Sequence, residues 1–150
     1  MHNFTYSKDG LLLTESFEGM RLTAYHDTGG VLTIGYGHTG KDVVIGLTIT
    51  PAEADRLLLG DVRHASDVVN RLVTWPGLMQ TEFDALVDFS FNAGCGAFAG
   101  STLLKDLNMG KLAEAAAQFE AWDHVGGMVV AGLLRRRIAE EKLFGSVEAA

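Results

Sequence analysis

Residues Glu18 to His38 read EGMRLTAYHDTGGVLTIGYGH. Two local patterns meet in this stretch. Ahead of it, Ser7 is a good N-cap for a helix from Lys8 to Glu18, and Gly19 stands where a C′ glycine would stop that helix. After it, the period changes. Leu22, Ala24 and Tyr25 lead into an Asp27-Thr28-Gly29-Gly30 turn, Val31 to Ile34 reads as a strand, and Val43 to Ile45 as another. Glycines at 29, 30, 35, 37, 40 and 46 punctuate the region. A sheet of two or three short strands is too small to stand alone and must lean on helices.

The helices resume at Thr50. Thr50-Pro51-Ala52-Glu53 is a capping box with Pro at the first helical position, and the helix it opens runs to about Leu72. Glu82 to Asn92 is apolar on most sides, as befits the buried centre of a helical lobe. Ser101 caps a short helix ended by Gly110. Lys111 to Ala121 follows, then a Gly126-Gly127 link, then a last helix from Gly132 to Phe144. The pattern predicts an α+β chain in one domain, residues 1–150. A β-lobe covers about 22–49, and a connecting helix about 51–72. A helical lobe covers about 73–150 and takes in the N-terminal helix 8–18. A groove between two lobes suits an extended substrate.

Composition narrows the function. Twelve basic residues against 19 acidic ones leave a net charge of -7. That argues against a nucleic-acid binder, which presents a basic surface, although Arg135 to Arg137 could form a local basic patch. A single cysteine, Cys95, excludes an intrachain disulfide and a Cys-based zinc site. The histidines at 2, 26, 38, 64 and 124 form no i, i+4 pair and no H-E-x-x-H. These patterns offer no metal site. Nothing at the N-terminus reads as a signal peptide, and no run approaches the ~18 apolar residues of a membrane span. A soluble chain without stable membrane association is expected.

Gly35-Tyr36-Gly37-His38-Thr39-Gly40 fits the dinucleotide fingerprint G-x-G-x-x-G. Lys41 to Thr50 looks extended, so no helix N-terminus is offered to a pyrophosphate. No serine stands in G-x-S-x-G. His38 and Asp61 read best as a structural ion pair. The remaining constellation is Glu18, Asp27 and Thr33. Two carboxyls are what cleavage of a glycosidic bond needs, one to protonate the leaving oxygen and one to handle water or the sugar. Glu18 at a helix C-terminus meets the negative end of the macrodipole, which disfavours its charged form.

The string Glu18-Gly19-Met20-Arg21-Leu22, then Ala24-Tyr25-x-Asp27, then Thr33-Ile34-Gly35-Tyr36-Gly37-His38-Thr39 resembles the phage lysozyme (endolysin) family of muramidases. The likeness continues through Gly46 to Thr50, Gln80 to Asn92, Ser101 to Leu104, Phe119-x-x-Trp122 and Gly132-Leu133-x-Arg135-Arg136-Arg137. It spans about residues 8–144. Met79 departs from the small polar N-cap that family members often carry, which would shift the cap to Thr81.

The resemblance implies a two-lobed lysozyme-like α+β fold, no metal or organic cofactor, and cleavage of the β-1,4 bond between N-acetylmuramic acid and N-acetylglucosamine in peptidoglycan. Glu18 would be the general acid, and Asp27 and Thr33 would position water. Inversion is expected, which needs carboxyls ~6.5–9.5 Å apart; retention would need ~5–5.5 Å. Asn92, Arg136 and Arg137 are candidate substrate contacts. A monomer is expected. It would accumulate in the host bacterial cytoplasm until a separate membrane pore releases it to the wall. The alternatives are a non-catalytic peptidoglycan-binding module and a lytic transglycosylase, and intact Glu18, Asp27 and Thr33 argue against both.

Overall fold

The computed structural model describes residues 1–125 and 127–146. Gly126 of the expected glycine link, and 147–150 at the end of the expected helical lobe, lie outside the described residues. The chain divides into two compact units, Leu11–Arg63 and Met1–Gly10 with His64–Ala150.

The first unit carries most of helix α1 (Lys8–Glu18), strands β1 (Arg21–His26) and β2 (Leu32–Gly35), and the first half of α2 (Pro51–Leu72). β1 and β2 are antiparallel, with Tyr25 opposite Thr33, His26 opposite Leu32, and an irregularity between Arg21 and Tyr25. The strand expected at Val43 to Ile45 is absent. That segment is turn, closed by Val43 N–H to Gly40 C=O at 3.1 Å and Leu47 N–H to Val44 C=O at 3.1 Å. Gly40 and Gly46 both hold positive φ, which bends the chain away from strand geometry. Val43 is buried while Val44 and Ile45 are exposed, so the apolar run serves one anchoring side chain. β1 instead borrows a second partner further on: Ala24 N–H donates to Leu47 C=O, and Ile49 N–H to Leu22 C=O. The Thr50 cap forms as expected, with Glu53 N–H on Thr50 Oγ1 at 3.2 Å. Ile34, Ala54, Leu58 and Val62 make the unit's core.

The second unit is helical: α3 (Gln80–Ala93), α4 (Cys95–Ala99), α5 (Thr102–Asn108), α6 (Leu112–Gln118), a 3-10 turn (Phe119–Trp122) and α7 (Ala131–Phe144). The expected glycine link is flanked by a small hairpin, β3 (His124–Val125) against β4 (Met128–Val129). α3 is buried from Glu82 to Ser90. Its Phe89 meets Phe98, Phe119 and Trp122 edge-on at 5.6–6.4 Å between centroids, a favoured aromatic geometry. The cap of α3 does not shift to Thr81. The helix begins after Met79, whose N–H is taken by the Glu82 carboxylate at 2.8 Å. That is half of a capping box, and it needs no polar side chain at the N-cap.

Ser7 caps α1 as expected, its Oγ accepting Gly10 N–H at 3.2 Å. Asp84 of α3 holds Ser7 in place through its backbone N–H at 3.1 Å and its hydroxyl. Gly10 follows from the same packing: a Cβ there would stand 2.5 Å from the Tyr6 ring and 2.9 Å from the Asp84 carboxyl carbon.

Candidate functional site

Glu18, Asp27 and Thr33 all fall in the Leu11–Arg63 unit. Glu18 is the last residue of α1 and is half-buried. Gly19 N–H bonds back to Glu15 C=O at 3.2 Å, and its φ of 69° turns the chain into β1. The Gly35-Tyr36-Gly37 bend comes close to the Glu18 carboxyl. Gly37 has φ 82°, and a Cβ there would lie 3.6 Å from Glu18 Oε2. On the other side of this bend Gly35 packs on Ala54 of α2, where a Cβ would be 3.5 Å from the Ala54 methyl.

Asp27 caps the turn between the strands. Its Oδ1 accepts Gly29 N–H at 2.9 Å and Val31 N–H at 2.8 Å, and its own backbone closes the turn with Val31 and Gly30. The carboxylate is thereby oriented in an exposed turn, with both of these bonds on one of its oxygens. Thr33 is buried at 3% exposure. Its hydroxyl donates to Val31 C=O at 2.9 Å, so the oxygen can act toward a further partner only as an acceptor.

His38 follows the bend. Nδ1 reaches both Asp61 oxygens at 3.0 and 2.9 Å, and Nε2 reaches Asp42 at 2.8 Å. The expected pair is thus a triad, with Asp42 supplied by the loop just ahead of the Val43 to Ile45 run that reads as a strand. Burial works to lower the His38 pKa, but the hydrogen bonds to Asp61 and Asp42 outweigh it and hold the pKa above the ordinary value.

A second acid lies one turn before Glu18. Glu15 shares a hydrogen bond with Asp55 of α2, and its pKa is pushed up to about 7, first by burial, then by that bond and the Asp55 charge. Burial, and then the charges of Glu15 and Asp55, raise the pKa of the Tyr36 phenol. Sequence reading passed over this pair. Its signal was two acids on separate helices, which spacing alone cannot join.

The arginine run departs from expectation. Arg136 and Arg137 are buried, at 5% and 1% exposure, and so form no surface patch. Arg136 forks onto Asp88 of α3, Nε to Oδ2 at 2.9 Å and Nη2 to Oδ1 at 2.8 Å. Arg137 Nε stands 2.9 Å from Glu140, its Nη2 donates to Asn92 Oδ1, and its guanidinium lies over the Phe89 ring at 5.0 Å. Glu140 is pushed up to about 10, first by burial, then by its hydrogen bond to Asp88 and the Asp88 charge. Asn92 is exposed, but its carbonyl oxygen is held by Arg137.

Comparison with known proteins gives this arrangement its relatives. A family model described as phage lysozyme matches residues 15–140. The endolysin of Bacillus phage PZA is 45% identical over 142 residues, which is 93% of this chain and 55% of that protein. The chain spans about half the length of this relative and of the Bacillus phage B103 endolysin. The Salmonella phage P22 endolysin is 42% identical over 92% of this chain and 96% of that protein. Among solved structures, a P22 lysozyme mutant superposes with a TM-score of 0.89 at 40% identity, covering 96% of this chain and all of that one. The muramidase domain of SpmX from Asticaccaulis excentricus does so at 0.87 and 40% identity, over 98% of this chain and all of that one. The fold is the α+β lysozyme fold, and the chain belongs to the phage lysozyme family.

Proposed function

We propose that this chain is a peptidoglycan hydrolase of the lysozyme type, cutting the β-1,4 bond from N-acetylmuramic acid to N-acetylglucosamine. Glu18 is the general acid that protonates the glycosidic oxygen. Asp27 and Thr33 hold the attacking water. The observation that carries this reading is the way those two side chains are tied. Asp27 spends Oδ1 on two backbone N–H groups, and Thr33 spends its proton on Val31. What each offers a water is an acceptor. A water that gives one hydrogen to each keeps its lone pair for the anomeric carbon, and single displacement with inversion follows. Asn92 is carried as a glycan contact through its amide N–H groups, with Arg137 as its anchor. The site residues need no cofactor for this chemistry. The protein works as a monomer, reaching the wall once a separate pore opens the host membrane. No helix among the described residues is long and apolar enough to cross a membrane itself.

The test is lysis of outer-membrane-permeabilised Gram-negative cells, followed by turbidity, with Glu18→Gln beside the native chain. Clearing by the native chain alone supports the reading. Analysis of the products then separates the alternatives. A reducing muramic acid end supports hydrolysis, an anhydro end identifies a transglycosylase, and binding to sacculi without release of sugar identifies a non-catalytic module.

A further inference from the structure

Three residues after Glu18 the chain places Arg21, the first residue of β1. Its guanidinium carbon lies 4.1 Å from the centroid of the Tyr25 ring. Tyr25 stands directly opposite Thr33 across the sheet, and opposed residues of antiparallel strands share a face. Arg21, Tyr25 and Thr33 therefore line one face of the β1–β2 ribbon. Glu18 precedes that strand by a two-residue turn, and Asp27 follows it at once. Arg21 is exposed, and the ion pairs among the described residues do not include it. A guanidinium held over a ring is restrained in position while its N–H groups keep their planar fork, the geometry that suits a carboxylate.

The chain bears a net charge of -7 and would act on an anionic polymer, so long-range electrostatics oppose binding. A pre-oriented cation on the strand that joins the candidate acid to the Asp27 turn reverses that sign locally. In peptidoglycan the carboxylates sit on the muramyl side: on the lactyl ether where the peptide is absent, and on the stem peptide where it is present. Resting on the hydrolase reading above, we propose that Arg21, held in place by Tyr25, binds a carboxylate carried by the muramyl residue and sets the enzyme's preference for muramyl over neutral glycan. Arg21 is the specificity residue, and Tyr25 is its positioning residue.

The experiment compares intact sacculi, peptide-stripped glycan and the methyl esters of both. For the wild-type chain, esterification is expected to lower kcat/KM about tenfold, the scale of one charge-assisted contact, and chiefly through KM. Loss on esterifying the stripped glycan assigns the lactyl carboxylate; loss only on esterifying intact sacculi assigns the peptide. Arg21→Gln should act on the native polymers as poorly as wild type acts on the esters, and should be indifferent to esterification. Tyr25→Phe should keep the preference and Tyr25→Leu should erode it, with circular dichroism showing each variant folded. The proposal is overturned if wild type does not distinguish ester from acid, or if Arg21→Gln loses the same factor on both. Release of no sugar by wild type from any polymer would count against the hydrolase reading alone. Co-sedimentation of wild type and Arg21→Gln with native and esterified sacculi would then still decide: equal retention of the two proteins on native sacculi overturns the role of Arg21.

Discussion

At Gly37 two constraints coincide. Its φ of 82° lies in the left-handed region, and a Cβ would come to 3.6 Å from Glu18 Oε2. Alanine there would cost about 1–2 kcal/mol of backbone strain, and its methyl would crowd the carboxyl of the candidate acid. Gly37→Ala is therefore expected to lower kcat by more than its loss of stability explains. The check is kcat measured well below the variant's melting temperature, compared with Gly46→Ala. Gly46 has φ 86° and open space where the Cβ would go, so that variant carries the strain without the neighbour. Equal activity losses in the two would remove Gly37 from the site. Asp27 and Thr33 make a second test at this scale. Thr33→Val keeps the shape and removes the acceptor, and should lower kcat about 10²-fold while KM stays within a factor of about two.

Elements show which parts of the fold local sequence specified. The α1 cap, the Thr50 box and the bounds of α2 were legible because each depends on a few adjacent residues. Val43 to Ile45 was misread because composition favoured a strand, while Gly40 and Gly46 with positive φ had already committed the segment to turns. Glu18, Asp27 and Thr33 are singled out by an ordered family resemblance and stand as candidates. The Asp42 ligand of His38 and the Glu15–Asp55 pair depend on contacts between elements and were missed. The α7 arginines were expected at the surface because charge usually stays there. The countersignal was Asp88, a third buried acid in α3 beside Glu82 and Asp84. Met79 N–H meets Glu82, and Ser7 and Gln80 meet Asp84, whereas Asp88 takes a buried cation from α7. The net worth of such a pair is small, but removing one partner strands the other without water. Arg136→Met should therefore destabilise the chain by about 3–5 kcal/mol in denaturant titration, and Arg136→Met with Asp88→Leu should recover much of that. A single variant no worse than an exposed substitution such as Arg135→Met would refute the buried-network account.

Across the whole molecule the surplus of acids is met partly by proton retention. Glu15 beside Asp55 and Glu141 beside Glu120 each rise to about 7 from an ordinary 4.5, first through burial and then through the shared hydrogen bond. Glu82 and Asp84 also rise, first through burial. In the unfolded chain Glu15 and Glu141 ionise near 4.5, whereas the fold keeps their protons on until about 7. Their contribution is complete below 4.5 and is lost as pH rises to about 7. His38 adds to the trend. With its pKa raised, its ion pairs stabilise the fold below about 6.5 and fade as pH climbs through the raised value. Asp42 runs the other way, since its lowered pKa contributes above about 3.8 and is lost only as pH falls. Between these limits the balance favours mild acid, and the melting temperature should be highest near pH 5 and fall steadily to pH 8. Glu15→Gln and Glu141→Gln each replace a proton-dependent hydrogen bond with a permanent one. Each should raise the melting temperature at pH 8, change it little at pH 5, and flatten the slope between. Thermal melts of the three proteins across that range are the check, and a wild-type melting temperature that rises from pH 5 to pH 8 would show that the carboxyl pairs do not hold their protons.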